Sequence, residues 1–114
     1  MALSEDLPIF RCSYDLLEHV IALVKVMPRM LRHTVGQRLI DANLDMLTQV
    51  YRANMARDKR QDIEELLMRQ RLMQMLLRIA YREKAISEKR YANLLHLLES
   101  IGRQATAWKN HGTE

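Results

Sequence analysis

The sequence predicts an all-α fold, an antiparallel up-down-up-down four-helix bundle, and three observations carry that prediction. Leu, Met, Arg, Glu, Gln and Ala dominate the chain, and these residues lose least on entering a helix. Only three glycines and two prolines punctuate 114 residues, so connections are few and helices long. Apolar residues recur at threes and fours through four successive stretches, the period of a helix with one buried face. Short connections place consecutive helices side by side and antiparallel. The length fits one domain, residues 1–114, with a modest core.

The first stretch predicts a helix over 8–27. Asp6 lies in the capping region and Pro8 suits the first turn, where its missing N–H costs nothing. Phe10, Tyr14, Leu17, Ile21 and Val24 form its apolar stripe. Cys12, the only cysteine, excludes an internal disulfide and reads as a small hydrophobe. Pro28 pushes its predecessor out of helical geometry and ends the helix. A connection over 28–33 carries Arg29, Arg32 and His33.

The second helix is predicted over 34–57, with Thr34 as its cap. Gly36, Ile40, Asn43, Leu47, Val50 and Asn54 repeat at 4-3-4-3-4, a coiled-coil spacing. Asparagine inside such a stripe either fixes register at a cost in stability or sits at the bundle edge. The third helix is predicted over 59–83. Asp58 or the group Asp62, Glu64 and Glu65 opens it, and Arg78, Arg82 and Lys84 favour its C-terminus, as the helix dipole requires. The fourth is predicted over 87–109. Ser87 caps it, and Tyr91, Leu94, Leu98, Ile101, Ala105 and Trp108 make its apolar face. Gly102 falls on that face, where a missing side chain permits close approach.

The formal net charge is +4, and thirteen of the eighteen cations are arginine. Seven cations against two acids lie between Leu67 and Arg90. Arg71, Arg78 and Arg82, seven and four apart, stack into one stripe on the third helix. Such a stripe pairs with carboxylates of a neighbour or meets phosphates, where the guanidinium fork is well matched. Arg69 points away from that stripe. Arg29, Arg32, Lys84, Lys89 and Arg90 complete the basic set. On one side of the stripe lie Met68, Leu72, Met75 and Ile79; on the other lie Ile63, Leu66, Met73, Leu77 and Tyr81. One core needs an apolar sector of about 100°. Either this helix is unusually central in the bundle or, the favoured reading, it self-associates through Met68, Leu72, Met75 and Ile79, and a closed oligomer would multiply the positive field.

Catalytic chemistry finds no foothold. There is no phosphate-cradling glycine loop and no nucleophile elbow. The four histidines are dispersed, without the convergence a metal needs, so no metal or cofactor is expected. Asp41 and Asp45 lie one turn apart and are expected to meet Arg38 or a neighbouring helix. Most of the tyrosines and Trp108 fall on apolar stripes, where core or interface packing outweighs base stacking. The opening MALSEDLP is acidic with no long apolar run behind it, so neither a signal peptide nor a membrane span is expected.

Six motifs occur in order: YDLL (Tyr14 to Leu17), Pro28, TVGQRL (Thr34 to Leu39), YRANMARDKR (Tyr51 to Arg60), LLRIA (Leu76 to Ala80) and SIGRQATAW (Ser100 to Trp108). The series resembles the accessory variability determinant proteins of diversity-generating retroelements, which are related to the bundle proteins encoded in ribosomal-RNA intervening sequences. Gly36, Arg38, Arg78, Ile101, Gly102 and Trp108 fall within the matching motifs. The resemblance implies a non-enzymatic homopentamer drawn as a barrel, and the lone cysteine, which fits a reducing cytosol, adds the expectation of a cytoplasmic location. The resemblance also implies two partners, the retroelement reverse transcriptase and nucleic acid, in mutagenic copying of a template RNA. An intervening-sequence protein with an RNA-related role and a purely protein-binding scaffold are the alternatives. In one place the chain departs from the family: Thr106-Ala107 stands where the family commonly has two glycines, so the end of the last helix should be more regular here.

Overall fold

The computed structural model describes residues 3–111. Among them are four long helices and no strand: α1 (Pro8–Lys25), α2 (Gln37–Met55), α3 (Arg60–Arg82) and α4 (Glu88–His111). They form a four-helix bundle of 46 × 20 × 19 Å. Each helix packs on the next, and α4 closes onto α1, whereas the diagonal pairs stay apart.

Local chemistry explains most of the boundaries. Pro8 opens α1 at its first position. The Asp58 carboxylate accepts from the Arg60 N–H at 3.2 Å and starts α3. Ser87 caps α4, its hydroxyl oxygen accepting from the Arg90 N–H at 3.1 Å. The α4 helix then runs unbroken through Thr106 and Ala107 to His111. The end of α3 is a left-handed stop: Lys84 takes φ 62°, the Ala85 N–H reaches the Ala80 carbonyl at 2.8 Å, and the Lys84 N–H reaches that of Tyr81 at 3.0 Å. Ile86, buried, pins the connection that follows.

Three sequence expectations are corrected. First, 28–33 is not a loop. Pro28 stands just before a helical turn (Arg29–Leu31) that passes through a π turn (Arg32–Gly36) into α2. Thr34 is therefore inside a helix, its hydroxyl donating back to the Met30 carbonyl at 3.0 Å. Proline supplied the fixed φ for a helix start as well as the stop for α1, and only the stop was expected. Second, the α1 stripe is rotated by about one residue. Ile9, Ser13, Leu16, Val20 and Leu23 are buried, with Leu17 and Val24 beside them, while Tyr14 is exposed and Phe10 and Ile21 only half-buried. Ser13 hides the true stripe: it is polar, yet its hydroxyl is satisfied by the Ile9 carbonyl at 2.8 Å, so burial costs it little. Third, α2 ends at Met55 and Lys59 precedes α3. The Lys59 ammonium donates to the carbonyls of Ala53, Asn54 and Ala56 at 3.0–3.1 Å, closing the C-terminus of α2 with the charge its dipole favours.

The four seams of the bundle each carry a side-chain bond to the neighbouring helix. Asn43, fully buried, donates to the Ser13 carbonyl at 3.0 Å across α2 and α1. Gln49 donates to the Asp62 carbonyl and carboxylate, both at 3.0 Å, across α2 and α3. Gln70 donates to the Leu98 carbonyl at 3.1 Å across α3 and α4. At the last seam the Cys12 thiol meets the Leu97 carbonyl at 3.8 Å, and burial pushes its pKa up from 9.0. Asn54 also lies inside, donating to the Ser4 hydroxyl at 3.2 Å, so both asparagines are interior. Two glycines permit close approach, Gly102 at the Gln70 bond and Gly36 where the start of α2 meets α1. A Cβ on Gly36 would meet Val24 at 3.0 Å, and one on Gly102 would meet the Gln70 amide at 2.9 Å.

Two outcomes follow. Lys84→Gly relieves the left-handed strain and raises unfolding free energy by about 1 kcal/mol in urea titration. Asn43, whose Oδ1 has no partner, distinguishes charge from polarity: Asn43→Asp buries a carboxylate and costs at least ~3 kcal/mol at pH 7. Asn43→Leu, by contrast, costs no more than ~1 kcal/mol in the same titration.

Candidate functional site

The outer surface of α3 is the most unusual feature of the molecule. Met68 and Met75 are 63% and 60% exposed, and Leu72 and Ile79 are 41% and 45% exposed. All four sit on one face at 4-3-4 spacing. A helix bordering a single core would place polar residues there. The inner face of α3 is satisfied independently by Ile63, Leu66, Met73 and Leu77, all fully buried.

Arg71, Arg78 and Arg82 run beside that apolar row, spanning about 16 Å along the helix axis. All three are exposed. None makes an ion pair or a side-chain hydrogen bond among the described residues. The choice between carboxylate and phosphate is thus resolved within one chain: no carboxylate of the described protomer occupies the stripe.

The other predicted cations divide by role. Arg69 is half-buried and pairs with Asp45 at 3.6 Å, tying α3 to α2. Asp45 therefore meets a neighbouring helix, while Asp41 accepts from Gln37 one turn earlier at 3.2 Å. Arg32 donates to the Met27 carbonyl at 3.2 Å, closing the end of α1. Arg29 is exposed on the turn before it. Lys89 and Arg90 lie on the first turn of α4, where with His19 they line a groove of about 370 Å³. That groove is separate from the stripe, so the structure does not gather all the basic residues on one surface.

It adds one residue to the stripe. Arg103 of α4 and Arg71 line the same groove, about 590 Å³, between α3 and α4. Gly102 and Gln70 form its wall, where the two helices approach most closely. A signal for Arg103 was present, since it follows the glycine predicted to permit close approach. The aromatic residues are mostly occupied by packing: Tyr81 and Tyr91 stack on each other at 4.6 Å and 6°, and Trp108 lies 5.9 Å from the Lys59 ammonium. Tyr14 and Tyr51 are exposed, contrary to the expectation for Tyr14.

No cluster of three His, Cys, Asp or Glu able to hold a metal occurs among the described residues. His19 pairs with Asp15 at 3.6 Å. No helix among those residues is long and apolar enough to cross a membrane.

The fold and surface thus define a class: a four-helix bundle whose distinguishing chemistry is an arginine stripe, without an ion pair among the described residues, beside an exposed apolar row. Within that class, the bAvd-like family model matches residues 9–112, nearly the whole chain, and the chain belongs to that family. No curated protein matches it.

The division of the cations is testable on an immobilised polyanion. Arg78→Ala lowers the salt concentration at which the protein elutes from heparin and leaves its urea midpoint unchanged. Arg69→Met leaves elution unchanged and shifts stability by less than ~1 kcal/mol, as a partly exposed pair should.

Proposed function

We propose that the protein is a non-catalytic accessory component of a diversity-generating retroelement. It assembles as a basic homo-oligomeric ring, a homopentamer, and holds the retroelement reverse transcriptase together with template RNA and its cDNA in the cytoplasm. Membership of the bAvd-like family supports the accessory role. The single observation that carries the nucleic-acid contact is the row Arg71, Arg78 and Arg82, exposed on α3 without any carboxylate partner among the described residues. Phosphates match that arrangement: guanidinium groups grip them bidentately without reading bases.

The order of the seam bonds supports an antiparallel up-down-up-down bundle. Asn43 meets Ser13, and Asn54, eleven residues later, meets the earlier Ser4. The exposed row Met68, Leu72, Met75 and Ile79 supports self-association, because monomers seldom leave a contiguous apolar strip in water. Repeating a stripe around a ring concentrates a field that +4 per chain would not supply alone.

Co-purification with the reverse transcriptase encoded beside it tests this reading, comparing wild type with Arg78→Ala/Arg82→Ala. The wild type retains polymerase and RNA; the double variant loses RNA. Its RNA affinity also depends less steeply on salt, by about 0.7 in the log–log slope for each phosphate contact removed. Equal recovery of both partners by the variant discards the assignment of the stripe. Recovery of polymerase with no RNA by the wild type would leave a protein-binding scaffold.

A further inference from the structure

We infer that the exposed row on α3 and a second exposed row across the α1–α2 seam are the two halves of one heterologous contact, each covered by a different copy of this chain. The inference rests on the proposed self-association and names the surfaces that perform it.

The second row is built from two helices. Tyr14 of α1 and Leu44 of α2 each follow a member of the bonded pair Ser13–Asn43, which brings them alongside one another at that seam. Tyr51 lies two turns further along α2 on the same line. These three are 51%, 45% and 52% exposed. A surface of this kind needs a partner as much as the α3 row does.

Symmetry decides how one contact can satisfy both. A twofold α3-to-α3 dimer leaves Tyr14, Leu44 and Tyr51 bare, and a twofold exchange of the two rows would need both on one face of the protomer. A head-to-tail contact, α3 of one copy on the α1–α2 seam of the next, covers both rows in every copy. The two rows also face different ways. Helix α3 touches α2 and α4 but not α1, so the α1–α2 side adjoins the α3 corner rather than opposing it. Successive copies related in this way turn, as a closed ring requires.

The chemistry of the two rows is complementary. The α3 row offers flexible methionine thioethers, and the other offers tyrosine rings, a favourable sulfur–aromatic combination. Glu18, one turn beyond Tyr14, is exposed and has no ion pair among the described residues. The same is true of Arg78 and Arg82, which flank Met75 and Ile79. One carboxylate against three guanidinium groups leaves the stripe net positive and open to phosphate.

Two exposed substitutions separate the possibilities. Met75→Glu spoils only the α3 row and Leu44→Glu only the other; circular dichroism shows that each variant remains helical. In light scattering the wild type is a ring, each variant alone is a monomer, and an equal mixture forms a two-chain complex. That complex arises because each variant retains the half that the other has lost. A mixture that stays monomeric overturns the inference, since the two rows are then not the two halves of one contact. So does either variant that keeps the wild-type mass, since the contact then lies elsewhere. A monomeric wild type overturns the self-association itself.

Discussion

Register is the constraint on which the rest of the molecule depends, and side-chain bonds to neighbouring helices hold it. Apolar packing alone would let two helices slide by a turn with little change in buried area. Asn43 on the Ser13 carbonyl and Gln70 on the Leu98 carbonyl do not permit this, because a slipped amide would be buried without a partner. A made bond contributes about 1 kcal/mol, whereas a broken buried one costs up to ~3 kcal/mol. The larger number sets the register. Gly102 is the geometric complement of the Gln70 bond, since a Cβ there would strike that amide, and Gly36 brings the start of α2 onto Val24 of α1.

With register held from within, the outside of α3 is free to be organised for something else. Its inward residues complete the core and its seam residues, Arg69 and Gln70, bind α2 and α4. What remains is a strip on which apolar and cationic rows run parallel. The two rows suit different partners. Methionine, leucine and isoleucine gain by leaving water, while exposed arginines avoid a desolvation cost only if they stay near it. In our reading the apolar row is covered by protein and the arginines remain at the margin, where phosphate can reach them.

Much of this was legible in the sequence. Four helices follow from spacing and from the scarcity of glycine and proline, and Ser87 identified its own cap. The surplus apolar face on α3 was visible because its residues keep their 4-3-4 spacing whether or not a partner is present. Most of the misreadings have a common physical origin, in polar groups claimed by other atoms of the same protomer. Ser13, polar yet buried, interrupts the true α1 stripe and left the predicted one a residue out of phase. Lys59 looked like the first residue of a helix when its ammonium ends the previous one. Arg69 and Arg32 looked like members of a basic patch but serve a carboxylate and a carbonyl of the same protomer. A sequence displays the charge of a side chain, not the partner that claims it. Arg71, Arg78, Arg82 and Arg103, without an ion pair among the described residues, could be separated from these only once the contacts were known.

The Lys59 cap has a spectroscopic consequence. Trp108 is the only indole in the chain, and it sits against the ammonium that joins the end of α2 to the start of α3. Its emission therefore reports on one corner of the bundle, where the 56–59 connection meets α4. Loosening there alters the indole's surroundings directly. Events at the opposite end, around the π turn or the left-handed Lys84, reach the fluorophore only by separating the helices themselves. A single natural probe thus distinguishes local opening at one end from loss of the whole bundle.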